Sequence, residues 1–548
     1  MMGVIAGPAQ EGVVHEFFEL FKIPWEFYRS DRQYDVVLCA GDAKADGIAA
    51  RLLLAYAGEK TSFDTKQNIL VNCRRQGSTL SYAGSRLPIY ADSVTFRHHG
   101  TAVLADENSG ESAACIGRFG DGMFARVGYD LFREVHTLLT KGQPPANAGI
   151  PTLELHIALL RDLITGCSIP VVEIPPVPDG YPFIACLTHD IDHPSIRSHV
   201  CDQTMIGFLY RATLGSVINV GRGRLPLRKL FTNWAAVAKL PFIYLGWVKD
   251  FWYGFDRYLD MERGQPSTFF VIPLKDYPGQ TAHGPAPRRR ASRYAASDVE
   301  GLIRKLMSAG CEVALQGIDA WLDSSAGREE LEHIRRITGM PDIGVRMHWL
   351  YANEHSPVTL EKAGADYDSS IGYNEAVGYR AGTNQAYKPL PATRLLELPL
   401  HVMDTALFYP GRLNLSPGEA GKRVRGIVDN AVRFGGSVIV NWHDRSIAPE
   451  RLWDSFYINL VQELNSRSPW FSTASQAVSW YRKRRSAVFE TVRSEPGGLR
   501  AKVSVSLRDQ LPGLRLRIHK PRVAPGIPAT GDHVDMALNG SIDTRIAV

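Results

Sequence analysis

Two aspartates, Asp190 and Asp192, stand one residue apart at the end of the apolar run FIACLTHDIDHP (183–194), with His189 and His193 flanking them. In an extended strand, residues two apart share a face. The two carboxylates would therefore point together while Ile191 points into the opposite layer. Close carboxylates are costly unless a cation lies between them or one of them holds a proton. A plainer reading also fits the stretch: a strand-end turn whose acids cap the next helix, with Pro194 in its first turn.

The elements around this stretch bear on the choice. Strand-like runs recur at 183–189, 267–273, 311–316, 343–348, 366–372, 395–401 and 437–443, separated by amphipathic segments such as ASDVEGLIRKLMSAG and REELEHIRRITG. Strand followed by helix, repeated, predicts a parallel sheet or a closed barrel. Run after run ends on a polar or ionisable residue: Asp190 and Asp192, then Gln316, His348, His401 and His443. In a barrel of parallel strands the C-terminal strand ends gather at one mouth, where catalytic groups sit. One histidine at a strand end is usually structural, but several on one rim suggest a site.

Three blocks separate on pattern. Residues 1–175 mix short strands (YDVVLCA, QNILVNC, GTAVLA) with helices such as ARVGYDLFREVHTLLTKG, and end at the proline-rich IPVVEIPPVPDGYP, read as a linker. Residues 180–488 carry the strand–helix alternation. Residues 489–548 begin with two-residue alternation in AKVSVSLRD and GLRLRIHKP. Beyond about residue 522 the composition, rich in Pro, Gly, Asp and Thr, predicts a loose tail.

Composition excludes some classes. A net charge of +5 over 548 residues is too small to argue for nucleic-acid binding. Seven scattered cysteines without a CxxC pair disfavour both a disulfide framework and a zinc–cysteine site. The N-terminus lacks the basic and long apolar regions of a signal peptide, and no stretch reaches the ~18 apolar residues of a membrane span. The nearest approach, LPFIYLGWVKDFWYGF (240–255), reads as a helix packed on the protein, with peripheral membrane contact as the lesser reading. A cytoplasmic protein is the default expectation.

The central block resembles the polysaccharide deacetylase family, the family-four carbohydrate esterases and their amidohydrolase relatives. LTHDID resembles the first motif, in which the first aspartate is the catalytic base and the second a metal ligand. PSTFFVIP resembles the TFFV strand, GYRAGT (378–383) the motif whose arginine orients the base, and IVNWHD the last motif, with its acid histidine. WFSTASQAVSWYRKR resembles the closing strand and helix of long bacterial members. The resemblance implies a distorted (β/α) barrel, flanked by an N-terminal α/β domain and a small C-terminal β-rich appendix. It implies Asp190 as base, Arg380 as its orienting partner and His443 as general acid. A divalent metal, zinc by expectation, would be held by Asp192, His348 and Gln316. Asp404, Trp442 and Tyr379 are expected near a glycan substrate, Asp404 either bracing His443 or binding sugar hydroxyls.

The chemistry implied is hydrolysis of an N-acetyl group, less so an O-acetyl group, on a polysaccharide or glycan precursor. A metal would activate water and polarise the carbonyl, a carboxylate would take the water proton, and a histidine would protonate the leaving amine. The sequence departs from the family where two metal histidines should stand four apart: it has Gln316 and Ala320. A glutamine oxygen is a weak zinc ligand. His348, with a neighbour such as His189, His193 or Asp319, is the expected replacement. The rival readings are a catalytically inactive glycan-binding or scaffold protein and an amidohydrolase acting on a small non-sugar amide.

Overall fold

Parallel strands separated by helices build the part of the chain that carries the paired aspartates. The computed structural model describes residues 1–42, 47–97, 103–223, 225–495, 498–506, 509–522, 533–538 and 540–546. The chain divides into two units, one of Met1–Gly180, Tyr379–Leu390 and Ser479–Val548, the other of Tyr181–Gly378 and Pro391–Val478.

The second unit is a parallel half-barrel. Its strands are β1 (Ile184–Ile191), β2 (Ser267–Val271), β3 (Glu312–Gly317), β4 (Val345–Met347), β5 (Tyr367–Asp368), β6 (Leu396–Glu397), β7 (Val402–Met403), β8 (Ser437–Asn441) and β9 (Trp470–Phe471). They pair in the order β6-β5-β4-β3-β2-β1-β8-β7, with β9 also beside β1. Every pairing is parallel. Among the described residues β6 and β7 do not pair, so the sheet ends there rather than closing into a ring. Strands β1, β2 and β8 are buried along their whole length. Burial on both faces suits the runs IACLTHDI, STFFV and SVIVN, which are mostly apolar rather than alternating. Helix Ser324–Thr338 shows how the outer layer is delimited. It starts where Asp323 accepts from the amides of Ser325 and Ala326 and stops at Gly339 in the left-handed region, φ 71°. Its apolar side, with Leu331 and Ile334, joins a core with Phe269, Val313 and Met347.

The first unit holds a six-stranded sheet, Trp25–Phe27, Met2–Ile5, Tyr34–Ala40, Ala50–Tyr56, Gly122–Val127 and Ala114–Phe119 in that order, parallel but for the last pair. Val171–Glu173, inside the stretch read as a linker, is a buried strand paired with Leu514–His519. The loose-tail reading needs the same kind of correction. His533–Leu538 pairs with Leu514–His519, and Ile542–Ile546 with Gly498–Val505. Residues 523–532 of that tail, and 100–102 of GTAVLA, lie outside the described residues.

Candidate functional site

Asp190 is the penultimate residue of β1, with Phe270 of β2 as its register partner. Its carboxylate is pinned by two donors: Arg346 Nη1 gives a bond of 3.0 Å to Oδ1, and Asn441 Nδ2 one of 2.9 Å to Oδ2. Arg346 is fully buried on β4. Its guanidinium lies 4.2 Å from the centre of the Phe270 ring and also donates to Thr188 Oγ1 (2.7 Å), the Ser369 carbonyl (3.1 Å) and Ser369 Oγ (3.0 Å). An arginine does orient Asp190, then, but it is Arg346 and not Arg380. Arg380 falls in the other unit, where its carbonyl accepts from the Gln143 amide at 2.7 Å. Tyr379, expected near substrate, lies in that unit too; it is fully buried and its amide donates to the Ala148 carbonyl.

Asp192 meets the two residues expected to share a metal with it, and the contact is a network of ordinary hydrogen bonds. Gln316 Nε2 lies 2.8 Å from Asp192 Oδ1 and 3.0 Å from His348 Nδ1. His348 Nε2 is 3.1 Å from the Arg290 carbonyl, so that nitrogen carries the proton and Nδ1 is left as acceptor. Burial lowers the His348 pKa, which favours the same neutral form. The two hydrogens of the Gln316 amide therefore satisfy the lone pairs on Asp192 and His348 that a cation would use. Turning the amide over would set Oε1 against Asp192 Oδ1, oxygen against oxygen. Among the described residues no three His, Cys, Asp or Glu side chains converge as a metal set. This donor set does not fit zinc, which takes at least three strong protein ligands even in catalytic sites.

The other expected replacements are engaged elsewhere. His189 lies in the core between Glu262 Oε1 and the Trp442 carbonyl, each at 2.7 Å. His193 faces His199 Nε2 at 3.1 Å, and Asp319 accepts from Tyr277 Oη and the Gln280 amide.

His443 follows β8 and carries the most strongly raised pKa among the cavity-lining histidines. Its Nδ1 is 2.6 Å from Asp404 Oδ1, and its Nε2 is 4.0 Å from Asp192 Oδ2. Burial alone would lower its pKa, but the Asp404 carboxylate, helped by Asp192 and Asp190, raises it to about 9. Asp404 is fully buried and also accepts from the His443 amide (2.7 Å) and the Ser446 hydroxyl. Asp404 thus holds His443 through both its ring and its backbone amide. For Asp192, burial opposes ionisation, yet His348 and His443 outweigh it and hold the carboxyl below its usual value. Trp442 is not a substrate contact: it is fully buried and stacks on Tyr457 with centroids 5.0 Å apart.

Asp190, Asp192, Gln316, His348 and His443 border one cavity of about 590 Å³. Arg289, Arg412, Arg445 and Arg451 line it as well. Arg445 is buried over the Trp252 ring, with Nε 3.7 Å from Glu450, and neither its Nε nor its Nη1 has a hydrogen-bond partner among the described residues. The His401 ring accepts from the Ile439 amide. The sequence reading missed Arg346 and these cavity arginines. Arg346 did leave a signal, as a charge placed between Val345 and Met347 in a buried strand.

No family model matches the chain, and no curated protein matches it. Solved structures it resembles include a Mycobacterium smegmatis protein named as a polysaccharide deacetylase, at 18% identity over 59% of this chain and 100% of that one, TM-score 0.35. A Pseudomonas aeruginosa protein named likewise shows 14% identity over 55% and 92%, TM-score 0.34. A GH57 branching enzyme from Thermococcus kodakaraensis shows 12% identity over 63% and 66%, TM-score 0.28.

Proposed function

We propose that the half-barrel mouth belongs to a deacetylase-type hydrolase of the polysaccharide deacetylase kind, which cleaves an N-acyl group from a glycan without zinc. The observation that carries this reading is the pairing of a carboxylate held by Arg346 with an imidazole held by Asp404 at one cavity. Asp190 keeps one lone pair on each oxygen beyond those used by Arg346 and Asn441 and takes a proton from water. The water oxygen bonds to the acyl carbon. His443, cationic below about pH 9, faces the oxyanion and gives its Nε2 proton to the leaving nitrogen as the carbon–nitrogen bond breaks. The products are a carboxylate and an amine. Asp192, opposite His443 Nε2, serves better as counter-ion to that imidazolium than as a second base. The cavity suits a sugar ring in size, and the arginines that line it, Arg289, Arg412, Arg445 and Arg451, favour a glycan that carries an acidic group.

The test is amine release from N-acetylated oligosaccharides, with and without uronic acid units, by protein dialysed against a chelator. Wild type should turn over the acidic substrates, and Asp190→Asn and His443→Gln should each lose at least ~100-fold, the scale of one acid–base group. Turnover kept by Asp190→Asn but lost in Asp192→Asn would move the base to Asp192. Binding of the oligosaccharides without any amine release would overturn the hydrolase reading in favour of a glycan-binding cleft.

A further inference from the structure

Between β1 and β2 the chain makes a long helical excursion, Gln203–Tyr210, a widened turn at Arg211–Gly215, Ser216–Gly221 and Leu227–Tyr244. Its ends are tied together at Asp250, which accepts from the Ser195 hydroxyl and the amides of Ile196 and Trp252. The inner side is an ordinary core: Met205, Phe208, Ala236, Leu240 and Ile243 pack with Trp252.

The outer side should be polar and is not. Of the 21 large apolar side chains exposed on the described residues, 13 lie between Val200 and Trp247. Singly exposed apolar residues need no explanation, but a cluster marks an interaction surface. In helix Leu227–Tyr244, Leu227, Phe231, Trp234 and Phe242 fall within about 80° of one another at 100° per residue, opposite the buried Asn233, Ala236, Leu240 and Ile243. Phe231 is 59% exposed, and Trp247, just past the helix, is 73% exposed. The shorter helices repeat the pattern with Ile206, Tyr210, Leu214 and Val217.

Charge says what covers this face. From Gln203 to Lys249 the sequence has seven lysines and arginines and no aspartate or glutamate. Lys229 turns inward to the Leu452 carbonyl and Arg211 is half-buried by its neighbours, while Arg222, Arg228 and Lys239 are exposed beside the apolar face. A protein partner needs no such one-sided balance. An anionic bilayer surface does: basic side chains meet the headgroups while Trp, Tyr and Phe sit at the boundary and apolar residues enter the acyl region. No helix among the described residues is long and apolar enough to cross a membrane, so the contact lies in the plane of the interface. We infer that residues 203–223 and 225–247 form an interfacial anchor that docks this protein on membranes containing anionic lipids.

The test is sedimentation of the full chain with vesicles of phosphatidylcholine alone or mixed with phosphatidylglycerol, read alongside tryptophan emission. The protein should pellet with the mixed vesicles, shift its emission to the blue, and dissociate as salt is raised. Phe231→Ser with Trp234→Ser should weaken partitioning by at least about tenfold, and Arg228→Glu with Lys239→Glu should remove the preference for phosphatidylglycerol. All these side chains are exposed, so melting should be unchanged. Failure to bind either vesicle would overturn the inference. So would a dimer in light scattering that the Phe231→Ser, Trp234→Ser variant converts to monomer, since a second copy would then be the cover.

Discussion

Arg346 reaches from β4 past β3 and β2 to set its Nη1 3.0 Å from Asp190 Oδ1 on β1. Both side chains are buried, the arginine completely. A pair of this kind fixes the position of a carboxylate, because removing either partner leaves a largely buried charge without its counter-charge. Arg346→Met should therefore destabilise the protein by about 3–5 kcal/mol in chemical denaturation, and Asp190→Asn by a comparable amount. The double variant should recover part of the loss. Two single losses that simply add would show that the pair does not act as a unit.

The Gln316 amide predicts indifference to zinc. Metal analysis of purified wild type should find well under one equivalent, and a chelator should leave activity intact. Gln316→His would offer a third strong donor beside Asp192 and His348, and isothermal titration should then detect zinc binding that wild type lacks. Stoichiometric zinc in the wild type, lost on Gln316→Ala, would contradict the hydrogen-bonded reading of these three residues.

The pH dependence follows from His443. An ordinary imidazole titrates near 6.5, and here Asp404 and its neighbours raise the value to about 9. A group whose pKa is raised on folding contributes stability that is complete below the unfolded value and lost as pH rises through the folded one. That contribution should fade between about pH 6.5 and 9, and kcat should fall on the alkaline side as the imidazolium loses its proton. Asp404→Asn should bring the alkaline limb of the rate profile down toward neutrality with little change in KM. A limb that stays where it was would remove His443 as the acid.

Trp442 tests the boundary between core and site. Its full burial against Tyr457 predicts that Trp442→Ala costs about 3–5 kcal/mol in thermal or chemical unfolding. Trp442→Phe should keep much of the stability and leave KM near wild type. A selective rise in KM in a stably folded Trp442→Phe would return the residue to the substrate.

Much of this was legible before any coordinates. The strand–helix alternation was written in apolar runs whose strand ends carried the polar residues, and the placement of Asp190, Asp192, Gln316, His348 and His443 around one cavity follows from it. What could not be read depends on side-chain reach and on long-range pairing. GYRAGT matched a motif locally, but its backbone groups with the other unit. Arg346 could fill the vacant role because a long side chain spans two strands, a distance no local spacing encodes. Trp442 turns inward because neighbours in extended chain point to opposite sides and His443 faces the mouth. The strands at 533–538 and 542–546 were hidden because edge strands of small sheets need few apolar residues.

The membership of residues 379–390 and 479–548 in the N-terminal unit has a consequence for biosynthesis. The ribosome delivers the first 180 residues well before the strands that complete their sheets, such as Leu514–His519 against Val171–Glu173. Translation at roughly 5–20 residues per second leaves an interval of tens of seconds in which Val171–Glu173 presents an unpaired edge. The half-barrel, started later, has all its strands in hand by Phe471. The unit begun first is thus the unit finished last, and a transcript truncated after residue 478 would yield a chain whose later-made half is the better folded one.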